Sequence, residues 1–291
     1  MPQNAPSAAG EPEGTYRVDP SIELRVEAGY VFPTENRVIT TVEQHRLHGH
    51  CGIPAERYGD RVDPALLARR PITFNTASMQ RCRPEVGKVH TVHHIQMHAP
   101  LRLDAPFTLV GHFTEIADHP RGWIAHSEWD YTDGSGRSMM TVRPEVMMVD
   151  PTKVEPDGAK RSQRPPPPAP AEEGFELLTE KQCTPESTLG YCQGSDNLIH
   201  LDMEYANGFG FRAPIIAGNQ TVNFLMEALA LDGAIETCDV TIRFKRPVFW
   251  DDAIAVWGKR GDDGKLNAVL AVNGEGKRVA ECAVSGVTYR G

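Results

Sequence analysis

The chain of 291 residues repeats part of its own pattern, and this limits what it can fold into. Ile95-Gln96-Met97-His98-Ala99-Pro100 is matched 147 residues later by Ile242-Arg243-Phe244-Lys245-Arg246-Pro247. At the same spacing Asp104 falls on Asp251 and Gly111 on Gly258. Between these points Phe107-Thr108-Leu109-Val110 and Ile254-Ala255-Val256-Trp257 both read as short strands. Trp129 to Thr132 and Ala268 to Val272 then lead into Asp133-Gly134-Ser135-Gly136 and Asn273-Gly274-Glu275-Gly276, which are hairpin turns. A last strand follows each turn, Ser138 to Val149 and Arg278 to Tyr289. Each half therefore ends in a three-stranded antiparallel meander, and the fold is expected to consist of two like units.

Ahead of the second meander, Asn219 to Leu231 is a helix-forming apolar stretch, with Val222, Leu225, Met226, Leu229 and Ala230 at helical spacing and Gly233 as its stop. Upstream, Arg70-Pro71-Ile72 matches Ala213-Pro214-Ile215 at a spacing of 143, which extends the correspondence beyond the strands. The break between the units is the run Arg164-Pro165-Pro166-Pro167-Pro168-Ala169-Pro170, a stiff polyproline-type linker. The expected organisation is a disordered tail over 1–14, a first unit over 15–152, a linker over 153–174 and a second unit over 175–291. At about 150 residues per domain, the length agrees with two units.

Lys and Arg number 30 against 39 Asp and Glu, a net charge of −9. Nucleic acids and anionic membranes are held mainly by clustered cations, and the only such cluster is the short Lys160, Arg161, Arg164 group. Neither partner is expected. No run of eighteen apolar residues suggests a membrane span, and the first fourteen residues lack the apolar segment of a secretory signal. Six cysteines without a paired pattern read as reduced thiols in a cytoplasmic protein.

The most informative stretch is Gly194-Ser195-Asp196-Asn197-Leu198-Ile199-His200-Leu201-Asp202, followed by Tyr205-Ala206 and by Ala213-Pro214-Ile215-Ile216-Ala217-Gly218. It resembles the signature of the MaoC-like, or R-specific enoyl-CoA hydratase, branch of the hotdog superfamily. That signature is Gly-Asp-x-Asn-Pro-apolar-His, then an aromatic-Ala pair, then Pro-Ile-x-His-Gly. Gly194, Asn197, Ile199, His200, Tyr205-Ala206 and Gly218 match it. The family's catalytic aspartate falls on Ser195, its proline on Leu198 and its second histidine on Ala217, while Asp196 stands one position late. The resemblance implies an α+β double hotdog, two antiparallel sheets each wrapped around a central helix, with the site on the second unit and the first unit degenerate.

The implied activity is that of a hydro-lyase: hydration of a 2-enoyl thioester, or dehydration of the corresponding 3-hydroxyacyl thioester, on coenzyme A or an acyl carrier protein. Such chemistry needs one water between two groups, one accepting its proton as oxygen adds to Cβ and one delivering a proton to Cα. His200 can exchange protons near neutrality. Asp196 or Asp202 would share the water, with the resemblance favouring Asp196, and Asn197 would hold the loop. The N–H of Gly218, at the start of the helix, would receive the thioester oxygen. Ser195, Tyr205, Ile216 and Asn219 are expected around the substrate, and Arg212, Lys245 and Arg246 are candidates for coenzyme A phosphates, with a solvated strand edge at least as good a reading. The alternatives are a hotdog thioesterase, a non-catalytic acyl-binding subunit, and lyase chemistry on a substrate that is not a thioester.

Histidines are dense at His45, His48 and His50 beside Cys51, and again at His90, His93, His94 and His98. Even spacing turns His94 and His98 to one face of a strand and His93 to the other. Structural or cleft-lining roles are expected ahead of a metal site, with His94 or His98 reaching the substrate tunnel. No metal or redox cofactor is expected, and a homodimer is.

Overall fold

The computed structural model describes residues 17–153, 173–195 and 197–290. The predicted tail, residues 154–172 of the linker, and Asp196 lie outside the described residues.

The first half comprises β1 (Glu35–Arg37), α1 (Thr41–Gly49), α2 (Pro64–Cys82), β2 (Gly87–Met97), β3 (Phe107–His119), β4 (Gly122–Asp133) and β5 (Ser138–Val149). The second comprises β6 (Phe175–Gln182), α3 (Pro185–Tyr191), α4 (Met203–Gly208), α5 (Gly218–Leu229), β7 (Ile235–Phe244), β8 (Ala253–Arg260), β9 (Leu266–Asn273) and β10 (Arg278–Tyr289). The strands form one sheet in the order β1-β3-β4-β5-β2-β7-β10-β9-β8-β6. Both expected meanders are present, and each closes back onto the strand that follows its long helix. No described helix is long and apolar enough to cross a membrane.

The halves meet where β2 pairs antiparallel with β7, from Val92↔Arg243 to Met97↔Cys238. His94 pairs with Thr241, its own equivalent at the 147-residue spacing, so a pseudo-twofold axis passes through that pair. The repeat extends to atomic detail in the turns. Asp133 N–H donates to Arg137 O and Gly136 N–H to Asp133 O, just as Asn273 N–H donates to Lys277 O and Gly276 N–H to Asn273 O. Gly136 and Gly276 have φ of 83° and 71°, a left-handed conformation that glycine adopts without strain. The repeated glycines on β3 and β8 are needed for space: a Cβ on Gly111 would stand 2.1 Å from the Trp129 ring, and one on Gly258 2.5 Å from Leu178.

α2 and α5 lie side by side against the sheet. From Asn219 to Leu229 every residue of α5 is buried, as the central helix of a wrapped sheet must be. The helix spans Gly218–Leu229, so Gly218 is its first residue and Leu231 lies past its end, which shifts the bounds read from sequence.

The match of Arg70-Pro71-Ile72 to Ala213-Pro214-Ile215 does not hold. The first triplet lies inside α2, whereas the second belongs to the extended segment ahead of α5. α2 starts two turns earlier, with Pro64 at its first position and the Asp63 carboxylate capping Ala65 N–H. Its interior Pro71 has no N–H to offer Leu67 O. The Tyr131 hydroxyl of β4 donates to that carbonyl instead, at 2.5 Å.

Candidate active site

His200 ends a short 3-10 turn, Leu198–His200, between α3 and α4. Its Nδ1 is 2.8 Å from Ile215 O, and a carbonyl can only accept, so the ring proton sits on Nδ1 and the lone pair on Nε2. Asn197 Nδ2–H reaches that nitrogen at 3.2 Å. Burial lowers the His200 pKa below the ordinary imidazole value, so the ring is a neutral base at neutral pH.

The segment that holds His200 also places Gly218. Ile215 N–H donates to Ile199 O, Ile216 N–H to Val248 O and Trp250 N–H to Pro214 O, so 213–216 is laced on both sides before α5 starts. Ala217, the residue ahead of the helix, has no side chain to cap it. The first N–H groups of a helix have no partner within the helix, and they sit at its positive end. A proton acceptor and an anion-favouring helix start are thus tied to residues 215 and 218 of one segment.

Ser195 N–H donates to Cys192 O, and its hydroxyl accepts from Asn197 N–H, so Ser195 shapes the loop. Asp202 has a different role from the one offered for it: its carboxylate caps α4 through Tyr205 N–H at 2.7 Å. Tyr205 is 39% exposed and its ring packs on Phe209. Ile216 is buried by its lacing to Val248. Asn219, 3% exposed, has no partner at either amide atom among the described residues.

The three cations proposed for phosphate are engaged within the protein. Arg212 faces Asp251 and Asp252 and lies over the Phe249 ring. Lys245 pairs with Glu281 at 2.6 Å, and Arg246 donates to Arg278 O. With both neighbouring carboxylates close, Arg212 and Lys245 offer little net charge to an anion.

The histidine strand agrees with its reading in part, with His93 and His94 on opposite faces. His94 bonds Asp239 on the face of the sheet away from His93, and His98 is exposed past the end of β2. His90 stands at the start of α5, with His93 against its ring. A β-bulge between His90 and Val92 breaks the alternation that would send them to opposite faces. His93 Nδ1 and His90 Nε2 are 2.9 Å apart, the His90 ring packs on Phe244, and His90 Nδ1 is 3.0 Å from where a Cβ on Gly218 would stand. In the first half, His48 and Asp63 form a 3.0 Å pair with neither side chain exposed, sealed under α1 and α2. Among the described residues no group of three His, Cys, Asp or Glu is arranged to hold a metal ion.

No family model and no curated protein matches the sequence. Solved structures do match. The model superposes on HtdX of Mycobacterium tuberculosis with a TM-score of 0.68 at 18% identity, covering 88% of this chain and 100% of that one. A MaoC-like dehydratase of Phytophthora capsici gives 0.66 at 17%, covering 91% and 98%. A conserved hypothetical protein of Mycobacterium tuberculosis, described as a double hotdog fold, gives 0.58 at 14%, covering 89% and 95%. The chain is a double hotdog. Its ten-stranded sheet is the pair of hotdog sheets joined edge to edge at β2 and β7, and their central helices are α2 and α5. Across the pseudo-twofold the two halves differ in their histidines: the His200 loop belongs to one, and the sealed His48–Asp63 pair to the other.

Proposed function

We propose that this double hotdog is a hydro-lyase that adds water reversibly across a 2-enoyl thioester carried by coenzyme A or an acyl carrier protein. The observation that carries the reading is the His200 imidazole, its Nδ1–H held by Ile215 O and its Nε2 free of a proton, three residues of segment away from the start of α5. In the hydration direction Nε2 accepts a proton from water while the water oxygen bonds to Cβ. The π electrons move to the thioester oxygen, where the Gly218 N–H donates to the forming enolate. His200 Nε2–H then returns that proton to Cα, which completes the 3-hydroxyacyl thioester and restores the neutral ring, and Asp196 is the carboxylate we assign to share the water. The substrate brings its own carrier, and the steps call for no further group. The dehydratase name of the Phytophthora neighbour agrees with this direction of reading.

The test follows loss of the enoyl thioester's conjugated ultraviolet absorbance over a range of chain lengths, with wild-type protein, His200→Ala and Asp196→Asn, and with free thiol measured in parallel. Turnover that falls by about 10²- to 10⁴-fold in both variants supports the assignment. Release of thiol in place of hydration establishes a thioesterase. Binding without turnover establishes an acyl-binding subunit.

A further inference from the structure

The seam between the halves gathers buried polar atoms that the steps above do not use. His90 Nδ1, His93 Nε2 and both amide atoms of Asn219 are out of contact with water and have no hydrogen-bond partner among the described residues. His93 is fully buried and Asn219 nearly so. Atoms of this kind are rare in folded proteins, and each calls for a reason. These three residues converge with Gly218 at the start of α5: Asn219 is in its first turn, and His90, held by His93, points Nδ1 at Gly218. Ala217 gives this helix no side-chain cap.

We propose that His90 is the second donor to the thioester oxygen, its Nδ1–H directed to the position beside the Gly218 N–H, with His93 as the residue that holds its ring. The proposal rests on the reading of this site as a thioester site. The shared hydrogen bond sets the tautomer: when His93 donates from Nδ1 to His90 Nε2, the His90 proton sits on Nδ1, on the Gly218 side. Burial brings the His90 pKa down to about 3 and His93 well below its usual value, so both rings stay neutral. A neutral imidazole at a helix start polarises a carbonyl without giving up its proton. Gly218 is the residue that permits this, since the ring stands where a side chain would crowd it. The site then draws on both units: the second moves the proton through His200, and the first stabilises the charge through His90.

The experiment measures the carbonyl stretch of a bound, carbonyl-labelled enoyl thioester by isotope-edited infrared difference, together with hydration kinetics. Wild type, His90→Phe, His90→Leu, His90→Asn and His200→Ala are compared after thermal unfolding shows which are folded. The expected result is a shift to lower frequency in wild type that is kept in His200→Ala, largely lost in His90→Phe and His90→Leu, and recovered in His90→Asn, whose amide N–H stands near the Nδ1 position. kcat falls about 10²- to 10³-fold in the two apolar variants, with KM changed far less. A wild-type shift in the folded apolar variant overturns the proposal and leaves the hydratase reading in place. A His90-dependent shift with no hydration by wild type overturns the hydratase reading and supports the donor. Absence of thioester binding by wild type overturns both.

Discussion

His200 needs no change of tautomer to act as a base, because Ile215 O has already chosen it and burial has already lowered its pKa; only the Asn197 Nδ2–H must give up Nε2 to the water. The profile of kcat/KM against pH should therefore keep its plateau through pH 6.5 and fall only below the ordinary imidazole range, as the ring gains a proton. A fall centred at or above 6.5 would count against His200 as the base. Gly218→Ala puts a methyl 3.0 Å from His90 Nδ1 and should lower kcat by about tenfold or more while leaving the melting temperature close to wild type, since alanine is otherwise favoured in a helix. His200, Asn197 and Gly218 were legible in the sequence because they stand close together along the chain. His90 and His93 were not: alternation on a strand separates positions three apart, and the bulge that reunites them leaves no mark in the residues. The partners of Asp202, the less favoured carboxylate, and of Arg212, for which a solvated edge was as good a reading, were not legible for a related reason, since Tyr205 N–H for one and Asp251 with Asp252 for the other are fixed by the fold.

Among the elements, α2 was the least legible. Arg70-Pro71-Ile72 was matched to what proves an extended segment, whereas the helix continues through Pro71, with the Tyr131 hydroxyl taking the carbonyl that the proline leaves unpaired. Tyr131→Phe should therefore cost about 1–3 kcal/mol, the usual cost of a buried carbonyl without a partner, measured by urea unfolding. A loss below about 0.5 kcal/mol would show that α2 does not depend on that bond. The meander strands were legible, since Gly111 and Gly258 mark the same strand of each unit and the two hairpins share one hydrogen-bond pattern, whereas the edge strands β1 and β6 were not read. Gly111→Ala should be the more damaging of the two alanine substitutions. Its methyl meets the rigid, fully buried Trp129 ring, whereas at Gly258 it meets the ends of Leu178 and Leu266, which can turn aside.

For the molecule as a whole, the β2–β7 ladder and the α2–α5 contact make one sheet and one core of the two halves. Thermal unfolding followed by tryptophan fluorescence and by far-ultraviolet circular dichroism should give coincident single transitions; two separated transitions would show that the halves fold independently. The buried histidines set how that stability depends on pH. His90 and His93 stay neutral in the fold but ionise near 6.5 when the chain is unfolded, so below about 6.5 the unfolded state binds more protons. Stability is complete above that pH and declines as the pH falls towards the folded values, by up to about 1.4 kcal/mol per pH unit for each such ring. Unfolding midpoints at pH 7.5 and 5.5, above most carboxylate titration, should differ less in His90→Phe than in wild type.

The pseudo-twofold through His94 and Thr241 also bears on how such a molecule changes over time. In an assembly of two identical single units, every mutation is inherited at both sides of the axis, and a histidine facing one helix start would face the other as well. Joining unlike halves in one chain removes that obligation. The strand position that mirrors His90 is Thr237, whose hydroxyl is hydrogen-bonded to that of Thr288. On the proposed reading, one half is free to specialise a loop for moving protons and the other a strand for facing it, each without burdening its twin.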